Sequence, residues 1–149
     1  MKFLRYLFAC NTVKYDGVRP INIYLMRGLY GLMLVVLGQE VWGEILNHAG
    51  PWDPEEAVAW CVWAAFSSLS LLGLFHPVKM IPILLLEIFY KILWLVIVAL
   101  PLWRSDTLAG SDAEDIAVGF MWVLLPIIAV PWGYVVRRYL LGRKLDQAT

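Results

Sequence analysis

Two cysteines and two histidines are all that this 149-residue chain offers to thiol, haem or zinc chemistry. There is no Cys-x-x-Cys pair, which excludes thiol–disulfide exchange of the oxidoreductase kind. Cys10 and Cys61 are expected at opposite ends of the fold, out of disulfide reach. His48 and His76 are separated in the same way, so they cannot ligate one haem between them. No two of these four residues have zinc-ligand spacing, so neither a metal nor a cofactor is expected. Serine is present, but no histidine is expected at the depth of Ser67 to Ser70, so no catalytic residue is assigned. Charge of one sign is missing too: 12 basic residues balance 12 acidic ones. No global basic field is left to recruit nucleic acid, which is excluded as a partner.

What fills the chain instead is apolar. Hydrophobic residues make up 61%, charged residues 16%, and the mean hydropathy is +0.70, a composition far outside the soluble globular range. The expected fold is all-α, an integral membrane four-helix bundle, because only helices satisfy their own backbone groups in hydrocarbon. The expected spans are 21–42, 57–76, 79–103 and 114–138. Residues 1–20 read as an interfacial N-terminal segment, 21–141 as the transmembrane domain and 142–149 as a tail. The opening Met-Lys-Phe-Leu-Arg is interrupted too early by Arg5 for a secretory signal, and Leu7-Phe8-Ala9-Cys10 lacks the apolar core that lipoprotein cleavage requires, so the N-terminus is expected to be retained.

Loop charge sets the expected orientation. Lys2, Arg5, Lys14, Arg19, Lys79, Arg137, Arg138, Arg143 and Lys144 fall in segments on one side. Asp53, Glu55, Glu56, Asp106, Asp112, Glu114 and Asp115, against a single Arg104, fall on the other. The positive-inside rule places both termini in the cytoplasm, in a bacterial inner membrane. The acidic loops need no ligand, since Asp53-Pro54-Glu55-Glu56 and Ser111-Asp112-Ala113-Glu114 have the pattern of helix N-caps. Pro126 and Pro131 should bend the fourth span. His76-Pro77 should make a tight turn that leaves spans two and three as antiparallel neighbours. Gly28, Gly31 and Gly38, and Ala57, Cys61, Ala64 and Ser68, have the spacing of close-approach helix faces.

Polar residues inside these spans are the candidate functional ones. Glu87 and Lys91 stand four apart in an otherwise apolar stretch, the favourable order for an intrahelical ion pair, and a charge at bilayer depth must face protein or water. Counted from the ends of their spans, Arg27 and Glu87 lie at one depth, which predicts an Arg27–Glu87 contact. Tyr90, Ser67 and Ser68 complete the expected intramembrane cluster. Gln39 and Glu40 are either interfacial residues or the lining of an outer vestibule leading toward Glu87, depending on where span one ends.

The Gly28-Leu29-Tyr30-Gly31 segment leading to Gly38, and Leu72-Gly73-Leu74-Phe75-His76-Pro77 closing span two, resemble the small four-helix bacterial membrane proteins of DoxX-like type. That resemblance implies four crossings and, for some members, association with membrane redox complexes. A looser comparison with the small multidrug-resistance exporters rests on four helices and an embedded glutamate, for which the candidate is Glu40. The expected role is a non-catalytic accessory or interaction protein, with lipid bilayer, other membrane subunits or a second copy as partners. The alternatives are a proton- or ion-coupled small-molecule transporter using Glu87 and, third, a subunit of a membrane redox system.

Overall fold

Proline placement and capping explain where the helices begin. The computed structural model describes residues 17–142, which form helices and turns with no strand among them. The expected interfacial segment at 1–20, with Cys10, and the tail at 142–149 therefore lie largely outside the described residues. Helix α1, Pro20–Asn47, starts with Arg19 in an extended conformation and proline at its first turn, the geometry that X-Pro imposes. It contains one wide turn at Met33–Leu37. Helix α2, Pro54–Phe75, is capped by Asp53, whose carboxylate accepts the Glu55 and Glu56 amides at 2.9 and 3.0 Å. It stops just before His76-Pro77. Helix α3, Ile81–Arg104, follows that turn. Phe66 of α2 lies 5.5 Å from Tyr90 of α3 between ring centroids, so the two helices are the expected antiparallel neighbours.

Helices α4, Ala113–Ala129, and α5, Trp132–Leu140, meet at an angle of 70°. The expected single crossing at 114–138 is therefore broken at Val130-Pro131, more sharply than a kink. Proline removes the amide that would bond Ile127, and the side chains replace it: the Trp132 indole donates to the Ile127 carbonyl at 2.8 Å. Asn22 of α1 donates its side-chain amide to the Ala129 carbonyl at 2.9 Å. The corner is thus hydrogen-bonded from both sides, which a flexible hinge would not be. Replacing Asn22 with leucine orphans the Ala129 carbonyl and should lower stability by about 1–2 kcal/mol, read as a lower unfolding temperature in detergent. An unchanged temperature would show that the corner holds itself.

The second expected cap takes a different form. Asp112 is the cap residue of α4 but makes no side-chain cap bond. The Ser111 hydroxyl donates backward to the Leu108 carbonyl, and Glu114 accepts the Gly110 amide at 2.6 Å. The reason is local: the loop curls back at Gly110, which adopts a left-handed φ of 77° and brings its own amide to the glutamate.

The core runs through Ile23, Met26, Tyr30 and Met33 of α1, Phe66 of α2, Ile81, Leu84 and Ile88 of α3, and Val123, Ala129, Val130, Tyr134 and Val135. Only 28, 28 and 22% of the apolar windows of α1, α2 and α3 are buried. Apolar side chains therefore cover the outside as well, among them Leu32, Val35, Leu72, Phe89, Ile97 and Ile128. A continuous coat of this kind fits lipid as the surrounding medium. Among the described residues three helices are long and apolar enough to cross a membrane, or four spans if α4 and α5 together count as one.

Close approach is narrower than the sequence pattern suggests. A Cβ on Gly38 would sit 3.7 Å from Ser67, and one on Gly31 would sit 4.0 Å from Leu74, whereas Gly28 faces open space. On α2, Ala64 is buried but Cys61 and Ser68 are exposed. The small residues of α2 therefore do not form one contact face, because the neighbouring helix crosses only part of the stripe. The tightest approach is at Gly73, where an added Cβ would fall 2.5 Å from the Tyr30 ring.

Candidate functional site

The two charges of α3 find each other. Four residues is slightly more than one helical turn, and the Lys91 ammonium donates to Glu87 Oε1 at 2.7 Å. Glu87 is 7% exposed. Lys91 lies beside the Phe120 ring of α4, 5.8 Å from its centroid, a cation–π distance that lowers the cost of the buried ammonium. Phe120 also packs edge-on against Tyr90 at 5.5 Å and Trp94 at 5.1 Å. The pair is thus walled by aromatic rings and faces the bundle interior, as its burial cost requires.

Arg27 does not join it. No Arg27–Glu87 ion pair exists among the described residues, and Arg27 Nε is buried without a hydrogen-bond partner. The expected common depth fails because α1 slides past its neighbour. Gly31 stands against Leu74, the penultimate residue of α2, so Arg27, about 6 Å further along, lies beyond the end of that helix. Counting depth from the end of each span assumes flush ends, which these helices do not have.

The serines serve their own backbone. Ser67 donates to the Ala64 carbonyl at 3.0 Å and Ser70 to the Phe66 carbonyl at 2.7 Å, bonds available within one helix turn. Ser68 points outward, where it lines a groove of about 530 Å³ with Gly38, Gln39 and Trp42. Neither Ser67 nor Ser68 touches the Glu87–Lys91 pair through any hydrogen bond among the described residues, so both leave the cluster, and Gln39 leaves the vestibule for that outer groove.

Glu40 lines a cavity that Lys91 also lines. Helix α1 runs on to Asn47, which leaves Glu40 about 10 Å short of the helix end. A half-open cavity of about 420 Å³ is lined by Glu40, Val41, Trp63, Tyr90, Lys91 and Asp115, with Ile116, Gly119 and Phe120 on the α4 side. Lys91 forms part of that lining and hands the connection on to Glu87. Glu40 and Asp115 have no ion-pair partner among the described residues.

Sequence reasoning misses Asp115 and Phe120. Asp115 reads locally as an acidic residue of a first helical turn, a sufficient reason for its presence. Its convergence with Glu40 and Lys91 depends on how α4 docks against α1 and α3, which no local pattern encodes. Asn22 and Gly73 escape it as well. A polar side chain near the start of an apolar helix is the available signal for Asn22, but its partner carbonyl is 107 positions away.

The described residues hold no group of three or more histidine, cysteine or acidic side chains suited to a metal. Architecture and surface define the class as an all-helical protein with helices long and apolar enough to span a membrane, with the Glu87–Lys91 pair turned inward beside a cavity. No protein-family model, curated protein or solved structure matches the chain.

Proposed function

We propose that this chain is a multi-pass protein of a bacterial inner membrane that binds a small molecule in the Lys91 vestibule and couples its passage to a proton or ion at Glu87. The observation that carries this reading is the cavity of about 420 Å³ that reaches Lys91. A purely structural ion pair would be sealed, whereas this one is bonded on one side and borders open space on the other. The volume is in the range of small-molecule sites, about 300–1,000 Å³, and the lining has their usual composition of aromatic walls with a few polar groups. The basic end, with Arg19, Lys79, Arg137 and Arg138, is proposed as cytoplasmic, which opens the vestibule outward.

The test uses Gly119, where an added Cβ meets nothing within 4 Å. In a background with Cys10 and Cys61 replaced by serine, Gly119→Cys in sealed vesicles should react with a membrane-impermeant cationic thiol reagent from the acidic-end side only. Lack of reaction from that side would remove the vestibule and the reading with it.

A second reading is favoured by a different observation. Gln39 and Ser68 are polar, exposed and side by side in the groove with Gly38 and Trp42, on the lipid-facing side of α1 and α2. Helix pairs in membranes commonly join through small and hydrogen-bonding residues of this kind. An accessory protein that packs this groove against another membrane subunit, in keeping with the DoxX-like resemblance, accounts for it. Crosslinking from Ser68→Cys in native membranes decides: capture of a partner subunit supports this role, and only unlinked chain counts against it.

A further inference from the structure

We infer that α5 is an in-plane anchor, and that its Arg137 and Arg138 form a binding surface for the phosphate headgroups of an anionic lipid leaflet at the basic end of the bundle. The bend supplies the geometry. A helix turned 70° from α4 cannot continue across the bilayer, and the Trp132 and Asn22 bonds to Ile127 and Ala129 hold it at that angle.

The side chains of α5 then sort as an interfacial helix requires. Tyr134 and Val135 are buried in the bundle core, while Trp132, Val136, Tyr139 and Leu140 are exposed apolar residues alternating with exposed Arg137 and Arg138. Aromatic and basic residues in that mixture suit the boundary between headgroups and acyl chains. Arg137 gives one donor, Nε, to the Gly133 carbonyl at 2.9 Å, and the rest of its guanidinium remains to bind an acceptor.

Charge complementarity identifies the occupant. Arg19, Lys79, Arg137 and Arg138 stand next to the start of α1, the start of α3 and on α5, on one side of the bundle, while the described acidic residues other than Glu87, which is bonded to Lys91, belong to the opposite half of the helices and their loops. An exposed basic surface with free guanidinium donors on Arg137 and Arg138, flanked by exposed apolar side chains, is matched by a phosphate ester carrying acyl chains. Free phosphate would satisfy the charge and leave the apolar residues uncovered.

The full chain is reconstituted in vesicles of mixed phosphatidylcholine and phosphatidylglycerol, extracted gently, and its retained lipid weighed by mass spectrometry. The wild-type chain should retain phosphatidylglycerol in excess of the bulk ratio, and R137Q/R138Q should cut that enrichment by about tenfold. R137K/R138K, which keeps the charge, should preserve most of it. If R137Q/R138Q does not fold, raising the salt on the wild-type chain reads the same contacts and should reduce enrichment. Bulk-ratio lipid on the wild type, undiminished enrichment in the glutamine variant, or displacement of the lipid by inorganic phosphate alone would each overturn the proposal. Because Gly119 and Lys91 belong to the middle of α4 and α3 and not to α5, these outcomes leave the vestibule reading untouched.

Discussion

Glu87→Leu should destabilise the folded bundle by about 3–5 kcal/mol, the usual cost of removing one partner from a buried ion pair. The loss comes from what remains. Lys91 would keep its ammonium against Phe120 and the apolar wall with no carboxylate 2.7 Å away to compensate it. Lys91→Met alone should cost a similar amount by stranding Glu87, which is 7% exposed. Combining Glu87→Leu with Lys91→Met removes both charges together and should restore most of the stability, because an apolar pair of similar volume replaces a buried ionic one at little net cost. Reversible unfolding in mixed micelles measures all three, and additive losses in the double variant would mean that the two residues act separately. The same double variant also tests function. Under the transport reading it folds and fails to couple solute movement to a pH gradient, whereas a scaffold role predicts no functional loss once folding is restored.

Gly73→Val should have an effect of comparable size for a steric reason. The first added carbon would fall 2.5–2.6 Å from three carbons of the Tyr30 ring, and Tyr30 is fully buried, so the ring has nowhere to turn. Overpacking of a well-filled core costs about 1–3 kcal/mol and more where neither side can shift. Tyr30→Leu in the same chain should relieve it, because the shorter side chain vacates the space and the Tyr30 hydroxyl has no hydrogen-bond partner to lose. A rescue by Tyr30→Leu that exceeds experimental error shows that the two residues share one volume. If the single and double variants unfold alike, the packing of α1 on α2 is looser than these distances require.

Element identity is legible where hydropathy and local caps decide it. The helical class, the capping of α2 by Asp53, the turn at His76-Pro77 and the inward-facing Glu87–Lys91 pair all depend on interactions spanning four residues or fewer, and the sequence carries that information locally. The depth of Arg27 is not legible in this way, because it depends on how far α1 slides along α2, a quantity set by the seating of Tyr30 on Gly73. Ser68 escapes a local reading because a stripe of small residues states that close packing is possible and not where the neighbour crosses. The prolines of the fourth span announce a bend. At its 70° corner Asn22 bonds a carbonyl 107 positions away, and no periodicity records that pairing.

Unequal helix lengths have a mechanical consequence for the surrounding lipid. Helix α1 extends over about 42 Å and the fourth segment up to its bend, Ala113–Ala129, which a turn at Trp122-Val123 interrupts, over about 25 Å. A bilayer of even thickness cannot match both at once. In a membrane the leaflets would pinch inward beside α4 or the whole molecule would lean toward α1, at a cost of fractions of a kcal/mol per ångström of mismatch. The side of the bundle that carries α4 would then draw short-chain lipids, or another protein with an equally short span, to its flank.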